Sequence, residues 1–268
     1  MYLDFYGLSE LPFNITPDPR FLYFAKNHKE AYDHIMFGIT RRRGFIELTG
    51  EVGSGKTTLC RAVLSALDDR VETALVLNPS LTETQLLRSI LSDFGLEPRG
   101  RDRLAYIEIL NKFLLEKNKE GVNVAVLIDE AQDLTPQVME QVRLLSNLET
   151  DQHKLIQIVL CGQPELKARL ARPDLRQLRQ RITVRYHLPP LTVAETAAYI
   201  EHRLRVAGAQ ACVFETSAVK RVHKYSSGCP RLINAVCDHA MLAGYVQRKT
   251  RIDTRCIVRA IEQLEGKT

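Results

Sequence analysis

Short apolar runs alternate with amphipathic segments along the first two thirds of the chain. Runs typical of β-strands cover residues 45–49, 71–77, 122–128, 155–161 and 182–188. Between them, apolar residues recur at helical spacing, as Leu59, Val63 and Ala66 do after the first run. Nearly continuous apolar strands are typically buried on both faces by helices. The alternation therefore predicts an α/β fold, a parallel sheet with helices on both sides.

The strand pattern stops at Pro189-Pro190, and only helical patterns follow. Helices are predicted over about 192–206, 216–225, 230–247 and 253–264. Thr192 with Glu195 predicts a capping box at the first of them, and Thr82 with Gln85 predicts another earlier in the chain. The predicted domains are a core at 1–190 and a smaller all-helical domain at 191–268. Residues 1–40, rich in proline and aromatics, are expected to pack on the core and to end in a helix over 29–40.

Composition sets broad limits on function. The chain has 268 residues, of which 45% are hydrophobic and 26% charged, which is typical of a globular protein. No apolar run reaches the roughly 18 residues of a membrane-spanning helix. The first residues lack the pattern of a secretory signal, so a cytoplasmic location is expected. The net charge of +5 permits nucleic acid or an anionic membrane surface as a partner without requiring either.

Residues 50–57 read Gly-Glu-Val-Gly-Ser-Gly-Lys-Thr, between a predicted strand and a predicted helix. Glycines let the backbone N–H groups converge on a phosphate, and the helix start adds further donors. Lys56 is expected to reach the outer phosphates, and the Thr57 hydroxyl to bind Mg²⁺. The predicted ligand is ATP with Mg²⁺, held by the residues Gly50, Glu51, Val52, Gly53, Ser54, Gly55, Lys56, Thr57 and Thr58.

Two carboxylates follow the strand predicted at 122–128. Asp129 is expected to hold the magnesium shell, and Glu130 to orient or deprotonate the attacking water. Gln163 follows the next strand and comes near the γ-phosphate if that strand lies between the other two. A loop glutamine without such a role is an equally good interpretation of Gln163.

Six arginines lie between residues 169 and 185. Such a run is typical of a solvated or nucleic-acid-facing surface, but Arg179 and Arg181 stand just before the last strand. An arginine there can enter a neighbouring subunit's nucleotide site and stabilise transition-state charge. The pattern leaves open which of Arg176, Arg179 and Arg181 does so. Arg231 opens a helix against its dipole, which suggests an anionic partner such as the nucleotide phosphates.

Together these motifs resemble the AAA+ ATPases, and most closely the general secretion pathway protein A (ExeA-type) family. The stretches that carry the resemblance lie at 6–13, 16–19, 128–132, 161–166 and 178–182. The family implies a P-loop NTPase three-layer αβα core with a five-stranded parallel sheet and a C-terminal helical lid. It implies Gln163 near sensor 1, Arg231 at sensor 2, and Arg179 or Arg181 as the arginine finger acting in trans in a ring or spiral. Two features depart from it: the membrane helix and peptidoglycan-binding domain of secretion members are absent from the sequence, and sensor 1 is usually Asn, Ser or Thr.

Besides a switch that binds ATP and hydrolyses it slowly, with Glu130 barely used, two functions remain open at the level of sequence. One is an oligomeric ATPase that assists the assembly or secretion of envelope structures, acting in the cytoplasm and reaching the inner membrane through a partner protein. The other is an ATP-dependent DNA-binding adaptor that regulates transposition by forming filaments on DNA. The arginine-rich stretches at 41–43, 99–103 and 169–185 favour the second function.

Overall fold

A computed structural model describes residues 2–14, 18–77, 80–98, 102–150 and 153–267. Two of the stretches above fall partly outside these ranges. The residues concerned are Thr16, Pro17, Arg99, Gly100 and Arg101.

Within these ranges, five parallel strands form one sheet. They are β1 (Phe45–Gly50), β2 (Val71–Val76), β3 (Asn123–Ile128), β4 (Gln157–Gly162) and β5 (Ile182–Leu188). Their order in the sheet is β2-β3-β4-β1-β5, and each neighbouring pair is parallel. Every residue of β1, β3 and β4 is buried, so both faces of the central strands are covered. The predicted α/β sheet is confirmed.

Helices connect the strands and make up the C-terminal part of the chain. The described helices are α1 (Tyr2–Tyr6), α2 (Lys26–Thr40), α3 (Lys56–Ala66), α4 (Glu83–Asp93), α5 (Arg103–Lys119), α6 (Pro136–Leu145), α7 (Pro164–Leu170), α8 (Arg176–Arg181), α9 (Val193–Val206), α10 (Thr216–Ser226), α11 (Pro230–Val246) and α12 (Thr254–Leu264). Both predicted capping boxes are present, one at the start of α4 and one at the start of α9. Each satisfies backbone donors that the first helical turn leaves without an intrahelical acceptor.

The chain divides into two compact units. The sheet unit comprises Lys29–Gly50 and Leu59–Leu188. The helical unit comprises Met1–His28, Glu51–Thr58 and Pro189–Thr268. The glycine-rich loop is therefore grouped by its contacts with the C-terminal helices, although it follows β1 in the chain.

The N-terminal lead-in departs from expectation. It was expected on the core, but its aromatic residues share one hydrophobic cluster with the C-terminal helices. The buried Arg203 of α9 donates hydrogen bonds to the carbonyl oxygens of Pro12 and Asn14. Its guanidinium also lies 4.8 Å from the ring centroid of Phe21. Aromatic packing and this buried cation explain why the lead-in joins the helical unit.

None of the helices in the described ranges has the length and apolar character needed to cross a membrane.

Candidate functional site

The loop after β1 has the backbone shape that a phosphate-binding loop requires. Gly53 and Gly55 adopt φ angles of +75° and +98°, which side-chain-bearing residues rarely reach. The loop ends where α3 begins at Lys56, so the first turn of a helix follows the glycines directly. Backbone N–H groups of a first helical turn, with the positive end of the helix dipole, favour an anion.

Lys56 is buried, and its Nζ donates a hydrogen bond to the carbonyl oxygen of Glu51, 2.9 Å away. The lysine thus links the end of the loop to its beginning. The Ser54 hydroxyl is also buried and has no hydrogen-bond partner among the described residues. A buried ammonium and a buried hydroxyl within one glycine-rich loop fit the phosphates of a nucleotide.

The start of α11 packs directly on this loop. The Arg231 backbone N–H donates to the carbonyl oxygen of Gly53 at 3.2 Å, and the Cys229 thiol donates to that of Val52 at 3.2 Å. A Cβ on Gly53 would lie 2.4 Å from the Cβ of Arg231, so only glycine fits there. The sequence-predicted Arg231 therefore stands beside the loop, with an exposed side chain.

His28 is a loop contact that no sequence pattern indicates. Its ring is 4% exposed, and Nε2 donates to the carbonyl oxygen of Ser54 at 3.1 Å. Burial lowers the pKa of His28, with Glu195 partly opposing that shift. The neutral ring that burial favours leaves Nδ1 as an acceptor, and Nδ1 has no partner among the described residues.

In the sheet unit, β3 ends in the two predicted carboxylates. Asp129 is buried, and its Oδ1 accepts a hydrogen bond from the backbone N–H of Glu130 at 2.9 Å. Glu130 adopts a left-handed backbone with φ of +50°, which is uncommon for a residue other than glycine.

Amide side chains surround the Glu130 carboxylate. Oε2 accepts hydrogen bonds from Gln132 Nε2 at 2.8 Å and from Gln163 Nε2 at 3.2 Å. Gln163 follows β4, which lies between β1 and β3 as its predicted role requires. The sheet therefore brings Gln163 to the general-base candidate.

Some arginines of the run at 169–185 bind other residues of the chain, and others are exposed. Arg181 donates to Ser146 Oγ and, at 2.6 Å, to Asn147 Oδ1. Arg185 pairs at 3.3 Å with the buried Glu47, whose pKa is raised by burial and partly lowered again by that arginine. Arg176 and Arg179 are exposed.

In the part of the chain that the structure describes, no group of three or more His, Cys, Asp or Glu residues could hold a metal ion. Mg²⁺ commonly binds through one or two protein oxygens plus phosphates and waters. That Thr57 and Asp129 serve as the protein oxygens for Mg²⁺ stays a prediction from the sequence.

Comparison with known proteins agrees with this picture. An AAA domain family model matches residues 39–170. The fold is similar to that of Cdc6p from Pyrobaculum aerophilum (TM-score 0.72, 16% identity, 94% of this chain and 70% of that one). It is also similar to that of the ORC2 protein of Aeropyrum pernix in its ADPNP-ADP complexes (TM-score 0.70, 17% identity, 95% of this chain and 71% of that one). A third similar fold is that of the Thermotoga maritima RuvB Holliday junction branch migration motor (TM-score 0.62, 19% identity, 90% of this chain and 70% of that one). The chain belongs to the AAA+ class of P-loop proteins.

Within that class, the chain is related to General secretion pathway protein A of Aeromonas hydrophila. The two are 48% identical over 255 residues, which cover 94% of this chain. The resemblance read from the motifs is thereby confirmed. The match spans 46% of the relative's length.

Proposed function

We propose that the protein is a Mg²⁺-dependent ATPase that binds ATP at residues 50–58 and hydrolyses it with Glu130 as general base. The observation that carries the proposal is the loop itself. Its two positive-φ glycines lead to a buried lysine on the first turn of α3. The 48% identity to General secretion pathway protein A, over 94% of this chain, supports it.

Each residue has a proposed role in the reaction. Lys56 leaves the Glu51 carbonyl to pair with the outer phosphates, and the N–H groups of the loop hold the remaining phosphate oxygens. Thr57 and Asp129 hold Mg²⁺, which supplies charge neutralisation on the phosphates. Glu130 accepts a proton from the attacking water while the water oxygen bonds to the γ-phosphorus and ADP leaves.

Further residues complete the proposed site. Arg231 pairs its exposed guanidinium with the phosphates from beside the loop, and Gln163 responds to the γ-phosphate. Arg179 is the preferred arginine finger, acting in trans in a homo-oligomer, because Arg181 is already hydrogen-bonded within its own chain. In this proposal ATP hydrolysis moves the C-terminal helical domain relative to the sheet core.

We further propose that this ATPase serves the assembly or secretion of envelope structures through a partner protein at the inner membrane, with the ATPase itself in the cytoplasm. The relative's name supports that role. The arginine run gives the DNA-adaptor alternative less support than its length suggests, because Arg169, Arg181 and Arg185 bind internal partners.

Phosphate release with Glu130→Gln tests the proposal. ATP affinity should be kept, while turnover should fall about 10²–10⁴-fold, the range that general base catalysis contributes. Glu262→Gln, an exposed substitution in α12, is the matched control and should keep the wild-type rate. Full turnover by Glu130→Gln would contradict the assignment of the base.

A further inference from the structure

Gln132 connects the two residues predicted to act on the γ-phosphate. Its side chain is 8% exposed and uses both ends of its amide. Nε2 donates to Glu130 Oε2 at 2.8 Å and to Asp133 Oδ2 at 3.2 Å. Oε1 accepts the backbone N–H of Gln163 at 3.0 Å. A neutral amide is needed here, because a carboxylate would offer only acceptors and would repel Glu130.

The surroundings hold this amide in place. Arg169 Nη1 donates to the carbonyl oxygen of Gln132 at 2.5 Å, which fixes its backbone. A Cβ on Gly162 would lie 2.8 Å from Gln132 Oε1 and 3.0 Å from a Leu166 methyl carbon. Gly162 therefore leaves the space that the amide fills. A buried, fully engaged side chain has few other rotamers available.

The consequence for Glu130 is a fixed carboxylate orientation. Oε2 is engaged by the two glutamine amides, so Oε1 is the oxygen left to accept a proton from water. The main chain of Gln163 is tied to the same amide, whereas the Gln163 side chain is held only through Glu130 in the described contacts. The Gln163 side chain can thus turn toward a ligand while Gln132 stays hydrogen-bonded to Glu130.

We propose that Gln132 is a positioning residue for hydrolysis, which orients the Glu130 carboxylate and links it to the residue that meets the γ-phosphate. The proposal rests on the ATPase function proposed above. It predicts a defect in turnover with little change in nucleotide binding, since Gln132 acts through Glu130.

The test compares Gln132→Glu with Gln137→Glu, which makes the same substitution at an exposed position in the first turn of α6. For ATP hydrolysis, kcat of Gln132→Glu should fall about 100-fold, the cost of misplacing a catalytic group by about 1 Å. Its ATP affinity should stay within about twofold of wild type, since binding is not lost when only the transition state is affected. Gln137→Glu should keep the wild-type kcat. If wild type hydrolyses ATP and Gln132→Glu does so within threefold of it, this inference falls and the ATPase proposal stands.

A double-mutant cycle separates positioning from a general structural role. Single-turnover rates of ATP hydrolysis are measured for Gln132→Ala, Glu130→Gln and the double variant. Because the cycle uses Gln132→Ala, it tests the inference even if Gln132→Glu does not bind ATP. Because Gln132 acts through Glu130, the double variant should be about as slow as Glu130→Gln alone. Losses that multiply would overturn the inference. Absence of hydrolysis by wild type would overturn the ATPase proposal and the inference with it.

Discussion

His28 contacts the phosphate loop although no sequence motif includes it. The ring is buried, and it donates to the Ser54 carbonyl from the start of α2. Burial favours the neutral ring and lowers the pKa of His28 in the folded protein. The unfolded chain therefore takes up this proton at higher pH than the folded one does.

The consequence is a loss of stability on the acid side. Above about pH 6.5, the ordinary pKa of histidine, both states are neutral and stability does not depend on this group. As pH falls below that value toward the lower folded pKa, the unfolded state is favoured by at most about 1.4 kcal/mol per pH unit. His28→Gln keeps a side-chain donor for Ser54 and should remove this loss. Urea unfolding of both proteins at several pH values between 5 and 8 measures the difference, and parallel pH dependences would contradict the prediction.

At the residue scale, prediction from sequence succeeds where spacing carries the chemistry. The glycines, Lys56 and the Asp129-Glu130 pair are recognisable because their roles depend on neighbours in the chain. Gln132 and His28 are not, because their partners lie up to 37 and 26 residues away. Their importance depends on tertiary contacts, which one sequence does not reveal.

Element boundaries follow local signals with small, explicable differences. The apolar run predicts a strand from residue 155, but β4 begins at Gln157. Leu155 and Ile156 are buried ahead of the strand, and the Leu155 N–H bonds the Leu148 carbonyl. The spacing of apolar residues predicts which residues are buried, whereas the boundaries of a strand depend on backbone pairing with its neighbours.

The start of α12 offers a test at this scale. Asp253 accepts the Cys256 N–H at 3.0 Å as N-cap and pairs with Lys249 Nζ at 2.6 Å. Asp253→Ala should lower the free energy of unfolding by about 1 kcal/mol near neutral pH. Chemical denaturation measures this, with Asp69→Ala in an exposed turn as the control.

The same substitution has a predicted pH dependence. The hydrogen bond from Lys249 holds the pKa of Asp253 well below its usual range. The stabilising effect is therefore present above about pH 4, the ordinary value for aspartate, and is lost as pH falls below it. A difference between wild type and Asp253→Ala that stays constant down to pH 2 would contradict this account.

At the scale of the whole molecule, the order of strands and helices predicts a parallel α/β sheet, and the resemblance of the motifs to the AAA+ ATPases implies the AAA+ fold. The structure confirms both. The lead-in could not be placed in the same way. Its aromatic residues predict that it is buried against another part of the protein. Phe13 and Phe21 are buried with the C-terminal helices, where Arg203 bonds the lead-in backbone from about 190 residues away. Local pattern alone does not identify so distant a partner.

The proposed oligomer makes its own prediction. Arg179→Ala should bind ATP and lose hydrolysis, because the arginine acts on a neighbouring subunit's nucleotide. Mixing it equally with Lys56→Ala, which has intact arginines, should restore about a quarter of the wild-type rate if subunits assemble at random. Arg205→Ala, an exposed arginine of α9, should keep full activity without mixing. No recovery at any mixing ratio would place the arginine's action within its own chain.

The central claim is that the loop at 50–58 grips a nucleotide through its backbone and Lys56. Isothermal titration of the protein with ATP in the presence of Mg²⁺ tests it most directly. Wild type should give saturable binding heat, and Lys56→Ala should give none under the same conditions, since the buried ammonium is the loop's own counter-charge. Absence of heat with wild type, or equal affinity of both proteins, would contradict the account.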